Sequence, residues 1–347
     1  MAHHRRTSTQ LEVEMEELKE VGADAVAFFE ELIGGDEATL PLAAMHTLLR
    51  VIERSDATTM MRLQRELGAA KDAVWAAFSE VTPRTLELLG RQTPISLSSG
   101  LELFQRYVTR VNDDYEAQAF AKLESTDFAK AKAQLEQNGI KFLQDMAASR
   151  EVISALGAPF VPEGATILTH GGSRVVAALL ARARENGRKF TVLVTESQPL
   201  RSGYEMAAAL EEADIPVTVI PDSGVAFFME RVDLVVVGAE AVVESGGIVN
   251  RLGTASIAVN AKALSKPFCV AAESFKFARL YPLSQSDLPA YCTFPICAPV
   301  AEGAAAEKAP SSPACDYTSG EFITLLFTDV GVRTPAAISD ELISFYQ

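Results

Sequence analysis

The sequence predicts an α/β protein in which an N-terminal helical bundle is followed by a doubly wound, Rossmann-like parallel sheet. Up to about residue 156, apolar residues recur three and four positions apart, which is the period of a helix. After Pro159 and Pro162, short apolar runs alternate with amphipathic segments of helical length. Runs such as residues 234–237 are continuously apolar, as strands covered on both faces are. We therefore expect a helical domain over residues 1–156 and an α/β domain over 157–347.

The helical domain is predicted from apolar stripes and one long helical stretch over residues 115–156. Ser98, Ser99 and Gly100 predict a break before the fourth stripe, and Asn138 with Gly139 predicts an interruption of the long stretch. A bundle must bury one face of each helix, so Trp75 and its apolar neighbours are interpreted as core. The stripes are Leu11, Met15 and Leu18; Leu42, Met45, Leu49 and Ile52; Leu67, Val74, Trp75 and Phe78; and Leu101, Phe104 and Val108.

The α/β domain is predicted from strand-length runs joined by amphipathic segments. The predicted strands are residues 166–169, 190–194, 217–220, 234–237 and 268–272, and the predicted helices are residues 173–186, 203–213, 224–231 and 253–264. Residues 287–313 are rich in Pro, Ala and Ser and predict a surface loop. One more strand over 322–327 and a closing helix over 335–346 complete the prediction.

Net charge and composition limit the classes of partner that the chain is expected to bind. The chain has 347 residues, with 31 Lys and Arg against 46 Asp and Glu, so its net charge is −15. Such a charge repels nucleic-acid backbones and anionic lipid surfaces, so we expect no direct binding to nucleic acid or membrane. The first ten residues contain no apolar core and predict neither a signal peptide nor an anchor. We therefore expect a cytosolic protein.

The four cysteines, Cys269, Cys292, Cys297 and Cys315, do not form a disulfide framework and suit a reducing compartment. Cys292 and Cys297 with Cys315 are the one metal candidate. Four residues separate the first two and no histidine lies nearby, which is not a zinc-ligand spacing. We predict no metal site and assign no role to Cys292 and Cys297.

The residues that follow each predicted strand carry most of the polar chemistry. In an open α/β sheet, ligands bind outside the carboxyl ends of the strands. These ends read Thr169, His170, Gly171, Gly172, Ser173 and Arg174 at the first strand; Glu196, Ser197 and Gln198 at the second; Asp222 at the third; Gly238, Ala239 and Glu240 at the fourth; and Glu273, Ser274, Phe275 and Lys276 at the fifth. The sequence therefore predicts a polar pocket at this edge of the sheet.

Two predicted helix starts favour an anion in that pocket. Residues 171–173 place two glycines and a serine where free backbone amides point outward. Asn250, Arg251, Gly253 and Thr254 form a second helix start and add a cation. Together they indicate a small phosphorylated ligand, whereas either turn taken alone is explained as a tight turn with a helix cap. No nucleotide-hydrolysis or dinucleotide motif is present, and His170 is given no catalytic role.

Four segments carry a specific resemblance. They are residues 169–176 (THGGSRVV), 194–199 (VTESQP), 237–254 (VGAEAVVESGGIVNRLGT) and 273–277 (ESFKF). The stretch 165–289 closely resembles the alpha, or regulatory, subunits of eukaryotic translation initiation factor 2B. The similarity extends to residues 98–107 and 316–346, while the helices before Ser98 match only loosely.

The resemblance implies a non-catalytic regulatory subunit of the guanine nucleotide exchange factor for translation initiation factor 2. It implies a homodimer that bridges two sets of beta, gamma, delta and epsilon subunits. In this complex the epsilon subunit catalyses nucleotide exchange. It also implies that the chain helps the complex sense the phosphorylated alpha subunit of initiation factor 2, in the integrated stress response. For the dimer contact we expect Met206, Phe227, Phe228 and Met229, although each of these is also explained as sheet-covering core.

The same fold resembles methylthioribose-1-phosphate and ribose-1,5-bisphosphate isomerases, which supply the alternative of a sugar-phosphate isomerase. Those enzymes use a Cys and an Asp at positions that here are Gly171 and Glu240. Glycine has no titratable group, and the Glu240 carboxylate is one methylene further out. A general acid or base contributes typically about 10²- to 10⁴-fold, so we expect no isomerase activity and no catalytic residue.

The resemblance also implies a retained ligand pocket, because Asn250 and Arg251 match the phosphate- and sugar-binding Asn-Lys of the isomerases. We expect no cofactor, but a sugar phosphate or nucleoside monophosphate as ligand. The expected ligand-binding residues are Thr169, His170, Gly171, Gly172, Ser173, Arg174, Glu196, Ser197, Gln198, Glu240, Asn250, Arg251, Gly253 and Thr254.

Overall fold

The fold is described from a computed structural model over residues 8–34, 39–79, 94–119, 125–198, 200–289, 293–294 and 312–346. The described residues of 1–90 and 100–145 form one compact unit, and those of 91–99 and 146–347 form a second. The described residues contain no helix that is both long and apolar enough to cross a membrane.

The first unit is helical. Its elements are α1 (Ser8–Ile33), α2 (Leu40–Arg54), α3 (Met60–Phe78) and the parts of α4 (Pro94–Ala119) and α5 (Ser125–Gly157) that fall within its residues. The hydroxyls of Thr39 and Thr59 cap α2 and α3 by accepting hydrogen bonds from backbone amides three residues on. Phe29 and Phe78 meet edge to face, with ring centroids 4.8 Å apart, in the core of this unit. The first predicted stripe is wrong at Met15, which is 56% exposed.

Two glycines expected to interrupt helices instead lie inside them, so both predictions were wrong. Gly100 is within α4, and a Cβ there would lie 2.7 Å from the Cα of Pro41. Gly139 is within α5, and its Cβ would lie 2.8 Å from Leu49 Cδ1. Each glycine permits close packing, which offsets its low helix propensity. Of the predicted stretch 115–156, residues up to Ala119 belong to α4 and residues from Ser125 belong to α5, and residues 120–124 lie outside the described residues.

The second unit contains a seven-stranded sheet of order β3-β2-β1-β4-β7-β12-β13. All neighbouring strands are parallel except β12 and β13. The predicted strands are present to within two residues, except that 320–322 form a 3-10 turn and the last predicted strand begins at Leu325. The strands are β1 (Thr166–His170), β2 (Thr191–Thr195), β3 (Val217–Ile220), β4 (Leu234–Val237), β7 (Phe268–Ala271), β12 (Leu325–Thr328) and β13 (Gly331–Arg333).

Helices cover both faces of this sheet, as the doubly wound prediction requires. One face packs Ile167, Val192 and Val236 under α6 and α7, and the other packs Leu168, Val235 and their neighbours under α8, α9 and α10. The helices are α6 (Arg174–Glu185), α7 (Ser202–Glu212), α8 (Val225–Met229), α9 (Thr254–Ala263) and α10 (Pro335–Tyr346). The order β3-β2-β1-β4 places the topological switch point between β1 and β4.

A second sheet, which the sequence did not predict, adjoins the carboxyl end of β4 in the chain. Its order is β11-β6-β5-β8, from β11 (Cys315–Thr318), β6 (Ile248–Arg251), β5 (Ala241–Val243) and β8 (Phe277–Ala278). Its strands have two to four residues, too short for a visible apolar period. Of the predicted loop 287–313, the structure describes only residues 287–289, β9 (Thr293–Phe294) and β10 (Ser312–Pro313); Cys292 and Cys297 lie outside the described residues.

Candidate functional site

The turn after β1 has the geometry that its glycines suggest. Gly171 has φ +67°, in the left-handed region that favours glycine. The hydroxyl of Ser173 accepts a hydrogen bond from the amide of Val176 at 3.3 Å and so caps α6. A Cβ on Gly238 would lie 2.5 Å from Ser173 Oγ, so the end of β4 comes close to the start of α6 only because residue 238 is glycine.

His170 is a buried structural side chain in this arrangement. Its Nε2 lies 3.0 Å from the carbonyl oxygen of Leu252, and its Nδ1 lies 2.5 Å from Thr195 Oγ1. The carbonyl requires a proton on Nε2, so Nδ1 accepts from the hydroxyl. Burial lowers the pKa of His170, while the charge of Asp222 opposes that shift. Both ring nitrogens are thus engaged in holding β1 against β2 and the end of the β5–β6 ribbon.

Asp222 fixes the loop after β2. Its two carboxylate oxygens accept hydrogen bonds from the amides of Ser197, at 2.8 Å, and Gln198, at 2.7 Å. Ser197 has φ +58°, and these charge-assisted bonds hold its backbone in that strained conformation. The side chain of Gln198 donates to Glu196 at 3.0 Å. The loop is thereby held in one conformation in which Ser197 and Gln198 face the pocket described below.

Arg251 and Glu240 form an ion pair at the same edge. Glu240 precedes β5 and Arg251 ends β6, and the antiparallel pairing of Ala241 with Val249 brings the two side chains together. Arg251 Nη2 lies 3.4 Å from Glu240 Oε1, with the side chains 12% and 15% exposed. Arg251 Nη1 is buried and has no hydrogen-bond partner within the described part of the chain. The guanidinium therefore has one group available for a ligand.

The start of α9 is already occupied by a carboxylate. Asp316, on β11, accepts hydrogen bonds through Oδ2 from the amides of Gly253, at 2.7 Å, and Ala255, at 3.1 Å. Burial raises the pKa of Asp316 to about 7, against the lowering effect of these bonds. Asn250 and Thr254 bond each other at 3.0 Å. Of the charged and polar side chains in the second predicted anion-binding turn, Arg251 lines the pocket described next. The contact of Asp316 with this turn was not predicted from the sequence.

A pocket of about 240 Å³, which includes open solvent, lies beside Arg251. Around Gly171 the structure brings Arg251, Ser197 and Ser202 together, since a Cβ there would be 3.5 Å from each of their side chains. Ser202 was not predicted; its hydroxyl is buried and has no partner among the described residues. The pocket is lined by Ser197, Gln198, Leu200, Arg251, Leu252, Pro313 and Ala314.

Some of the predicted residues lie away from this pocket. Thr169 is fully buried, and Glu196 contacts Gln198 without lining the pocket. Arg174 is near Glu273 and Arg150; burial lowers the pKa of Arg174, and the charge of Arg150 lowers it further. Gly172 is exposed. In the part of the chain that the structure covers, no group of three or more His, Cys, Asp or Glu side chains is placed to hold a metal ion.

The parallel sheet, its switch point and the polar groups at its carboxyl edge define a Rossmann-like α/β protein with an anion-compatible pocket. Residues 34–335 match the model of the initiation factor 2 subunit family. The chain belongs to that family.

The sequence similarity to two known proteins extends over nearly the whole chain. The translation initiation factor eIF2B subunit alpha of Dictyostelium discoideum is 42% identical over 329 residues, covering 92% of this chain and 96% of that protein. The protein of the same name from Caenorhabditis elegans is 36% identical, covering 88% and 92%. The ribose 1,5-bisphosphate isomerase of Archaeoglobus fulgidus is 33% identical over a shorter region, 56% of this chain and 62% of the enzyme.

Solved structures with the same fold include both initiation-factor subunits and an isomerase. eIF2B beta from Chaetomium thermophilum has a TM-score of 0.67 at 17% identity, covering 97% of this chain and 95% of that one. A chain of the tetrameric eIF2B-beta2-delta2 complex from C. thermophilum gives 0.68 at 15%, covering 98% and 100%. The 5-methylthioribose 1-phosphate isomerase of Pyrococcus horikoshii gives 0.60 at 21%, covering 95% and 87%. At these identities the likeness concerns the fold alone.

Proposed function

We propose that this chain is the non-catalytic, regulatory alpha subunit of the guanine nucleotide exchange factor for translation initiation factor 2. The observation that carries the proposal is the near full-length similarity to two proteins named as that subunit, at 42% and 36% identity. The similarity to ribose 1,5-bisphosphate isomerase spans a smaller part of the chain.

The strand-end chemistry supports a non-enzymatic role. Gly171 stands where the isomerases carry a cysteine, and it offers no proton donor or nucleophile. Glu240 stands at the aspartate position, and it is engaged in an ion pair with Arg251 at 3.4 Å. An acid–base reaction at a sugar carbon needs two titratable groups positioned at the substrate. Here one is absent and the other is held by a cation.

The partners in this proposal are a second copy of the chain and the beta, gamma, delta and epsilon subunits. The existence of a tetrameric eIF2B-beta2-delta2 complex, one chain of which shares this fold, supports assembly among such subunits. The assembled complex, in the cytosol, senses the phosphorylated alpha subunit of initiation factor 2. Direct contact with nucleic acid or membrane is not part of the proposal, since the chain carries a net charge of −15.

The retained pocket is proposed to bind a sugar phosphate or nucleoside monophosphate. Arg251 lines the pocket, and its buried Nη1 has no partner among the described residues. Ser202, which lies near Gly171 together with Arg251, has a buried hydroxyl that likewise has no partner among those residues. Buried polar groups without partners are unfavourable, and a phosphorylated ligand provides acceptors for both. Ser197 and Gln198 add further polar groups to the lining of the pocket.

The test is reconstitution with the beta, gamma, delta and epsilon subunits. We expect the full chain to join the complex and to make nucleotide exchange sensitive to phosphorylated initiation factor 2, measured as nucleotide release from the unphosphorylated factor in its presence. The matched control is the same complex assembled without this chain. Failure of the chain to join the other subunits, or identical inhibition with and without it, would contradict the proposal.

A further inference from the structure

The ribbon formed by β5 and β6 positions a carboxylate directly against the cation of the pocket. The amide of Glu240 donates to the carbonyl of Val249 at 2.9 Å, which fixes the Glu240 backbone next to the end of β6. From there its side chain reaches Arg251 Nη2, at 3.4 Å from Oε1. An aspartate on the same backbone would hold its carboxylate one methylene further back. The glutamate side chain thus brings its carboxylate closer to Arg251 than an aspartate on the same backbone would.

The ion pair with Glu240 uses only part of the hydrogen-bonding capacity of the Arg251 guanidinium. Nη2 of Arg251 forms the 3.4 Å ion pair, whereas Nη1 is buried without a hydrogen-bond partner among the residues that the structure describes. Both side chains are more than four-fifths buried, where the attraction between charges is screened less than at the surface. An anion entering the pocket thus meets a cation whose charge is already opposed by an adjacent carboxylate.

We propose that Glu240 is an internal competitor for the anion that Arg251 binds, so that it sets the affinity of the pocket for phosphorylated ligands. The inference rests on the proposed ligand-binding role of the pocket. A phosphate that bonds Arg251 must either displace the Glu240 carboxylate or bind beside its negative charge. Both routes cost free energy. With a neutral side chain at position 240 the charge repulsion is removed and the cost of displacement is smaller, because a neutral acceptor is held less strongly by the guanidinium than a carboxylate.

The experiment is isothermal titration calorimetry of the full chain with inorganic phosphate at low ionic strength, which measures the Kd for phosphate. Glu240→Gln preserves the size of the side chain and removes its charge, so we expect its Kd to fall about fivefold or more relative to the unaltered chain. Arg251→Ala should weaken binding by about tenfold or more, because a charge-assisted hydrogen bond is lost. Arg251→Lys keeps the cation and should retain part of the affinity.

Glu244→Gln is the matched control. Glu244 directly follows β5, and its carboxylate forms an ion pair with Arg279 at 3.8 Å, outside the pocket. Its substitution by glutamine changes the net charge of the chain by the same amount as Glu240→Gln. Its Kd should stay within about twofold of the unaltered chain. This control separates a local effect of Glu240 from a general change in the field of the protein.

Three outcomes would overturn the inference. If Glu240→Gln leaves the Kd unchanged while Arg251→Ala weakens it, the pocket binds anions but Glu240 does not compete. If Glu240→Gln weakens binding, Glu240 contacts the ligand as an acceptor. If no variant binds phosphate, both the competitor and the anion pocket are wrong. The subunit role is judged separately by reconstitution, which does not depend on phosphate binding.

Discussion

Asp316 Oδ2 lies 2.7 Å from the backbone nitrogen of Gly253, so a carboxylate from β11 occupies the N-terminus of α9. The contact joins residues 63 positions apart, and the same oxygen also accepts from Ala255. It places an ionisable group in a site where burial raises its pKa to about 7. Stability should therefore depend on pH in a range where ordinary aspartates are fully ionised.

The first prediction concerns that pH dependence. Between pH 4 and 7 the folded chain retains a proton on Asp316 that the unfolded chain, with a pKa of 3.8, has released. The folded state binds more protons, so stability falls as the pH rises through this window, by at most about 1.4 kcal/mol per pH unit. Asp316→Asn cannot ionise, and its slope should be flatter. Urea unfolding between pH 5 and 8 measures both slopes.

Asp287→Asn is the control for this prediction. Asp287 is exposed, and hydrogen bonds from the amides of Leu283 and Ser284 lower its pKa. It is ionised in both states above pH 5, so its removal should leave the slope unchanged. An equal slope in the unaltered chain and in Asp316→Asn would contradict the assignment.

The second prediction concerns Gly203, in the first turn of α7. A Cβ there would lie 1.9 Å from the carbonyl oxygen of Thr195, and backbone cannot move aside as a side chain can. Gly203→Ala should destabilise the chain by about 3 kcal/mol or more. Gly172→Ala is the matched control, since its nearest contact would be an ordinary 3.4 Å, and it should stay within about 0.5 kcal/mol. Equal urea midpoints for the two variants would show that the close approach does not exist.

The third prediction is the absence of isomerase chemistry. Incubation of the purified chain with ribose 1,5-bisphosphate or methylthioribose 1-phosphate should yield no product above a heat-treated control, because Gly171 and Glu240 replace the catalytic pair. Product analysis by mass spectrometry distinguishes isomers after derivatisation. Turnover that is lost in Glu240→Gln would establish an enzyme and refute the non-catalytic role.

The fourth prediction concerns the proposed homodimer contact. Met206 and Met229 are buried in the sheet-covering core, which is the simpler of the two explanations given for them, whereas Phe227 is 70% exposed and stacks edge-on against Phe228. We expect sedimentation of the isolated chain at micromolar concentration to give twice the 37.3 kDa chain mass, and Phe227→Ser to shift it toward monomer.

Val259→Ser is the control for the dimer contact, because Val259 is 52% exposed on a different helix. It should leave the sedimentation coefficient unchanged. A monomeric unaltered chain, or equal dissociation by both substitutions, would remove Phe227 from the interface.

The sequence predicted the main sheet because its strands carry long apolar runs and its helices carry clear amphipathic stripes. It did not predict the second sheet, since two- to four-residue strands contain no measurable period and β11 pairs with a strand more than sixty residues earlier. Glycines were the other source of error. Gly100 and Gly139 look like helix breakers in a linear sequence, but their role is set by the neighbouring helices that they allow to approach.

The candidate site was predicted in part for the same reason. Gly171, Ser197 and Gln198 were predicted because they follow predicted strands, and Arg251 was predicted as part of a second helix start. Ser202 and Asp316 were missed, because each reaches the pocket region through a contact set by tertiary structure and not by its place after a predicted strand. The Glu240–Arg251 pair likewise depends on the antiparallel ribbon, which only the pairing of Ala241 with Val249 reveals.

The capping of α9 by a residue 63 positions later also has a consequence during synthesis. A ribosome adding about 5 to 20 residues per second makes α9 several seconds before Asp316 exists. Until then the helix start lacks the side chain that accepts its amide hydrogen bonds, and β6 lacks the partner strand that Cys315–Thr318 supplies. A nascent chain halted before residue 316 would therefore carry an incomplete pocket edge, and ligand capture would belong to the finished polypeptide.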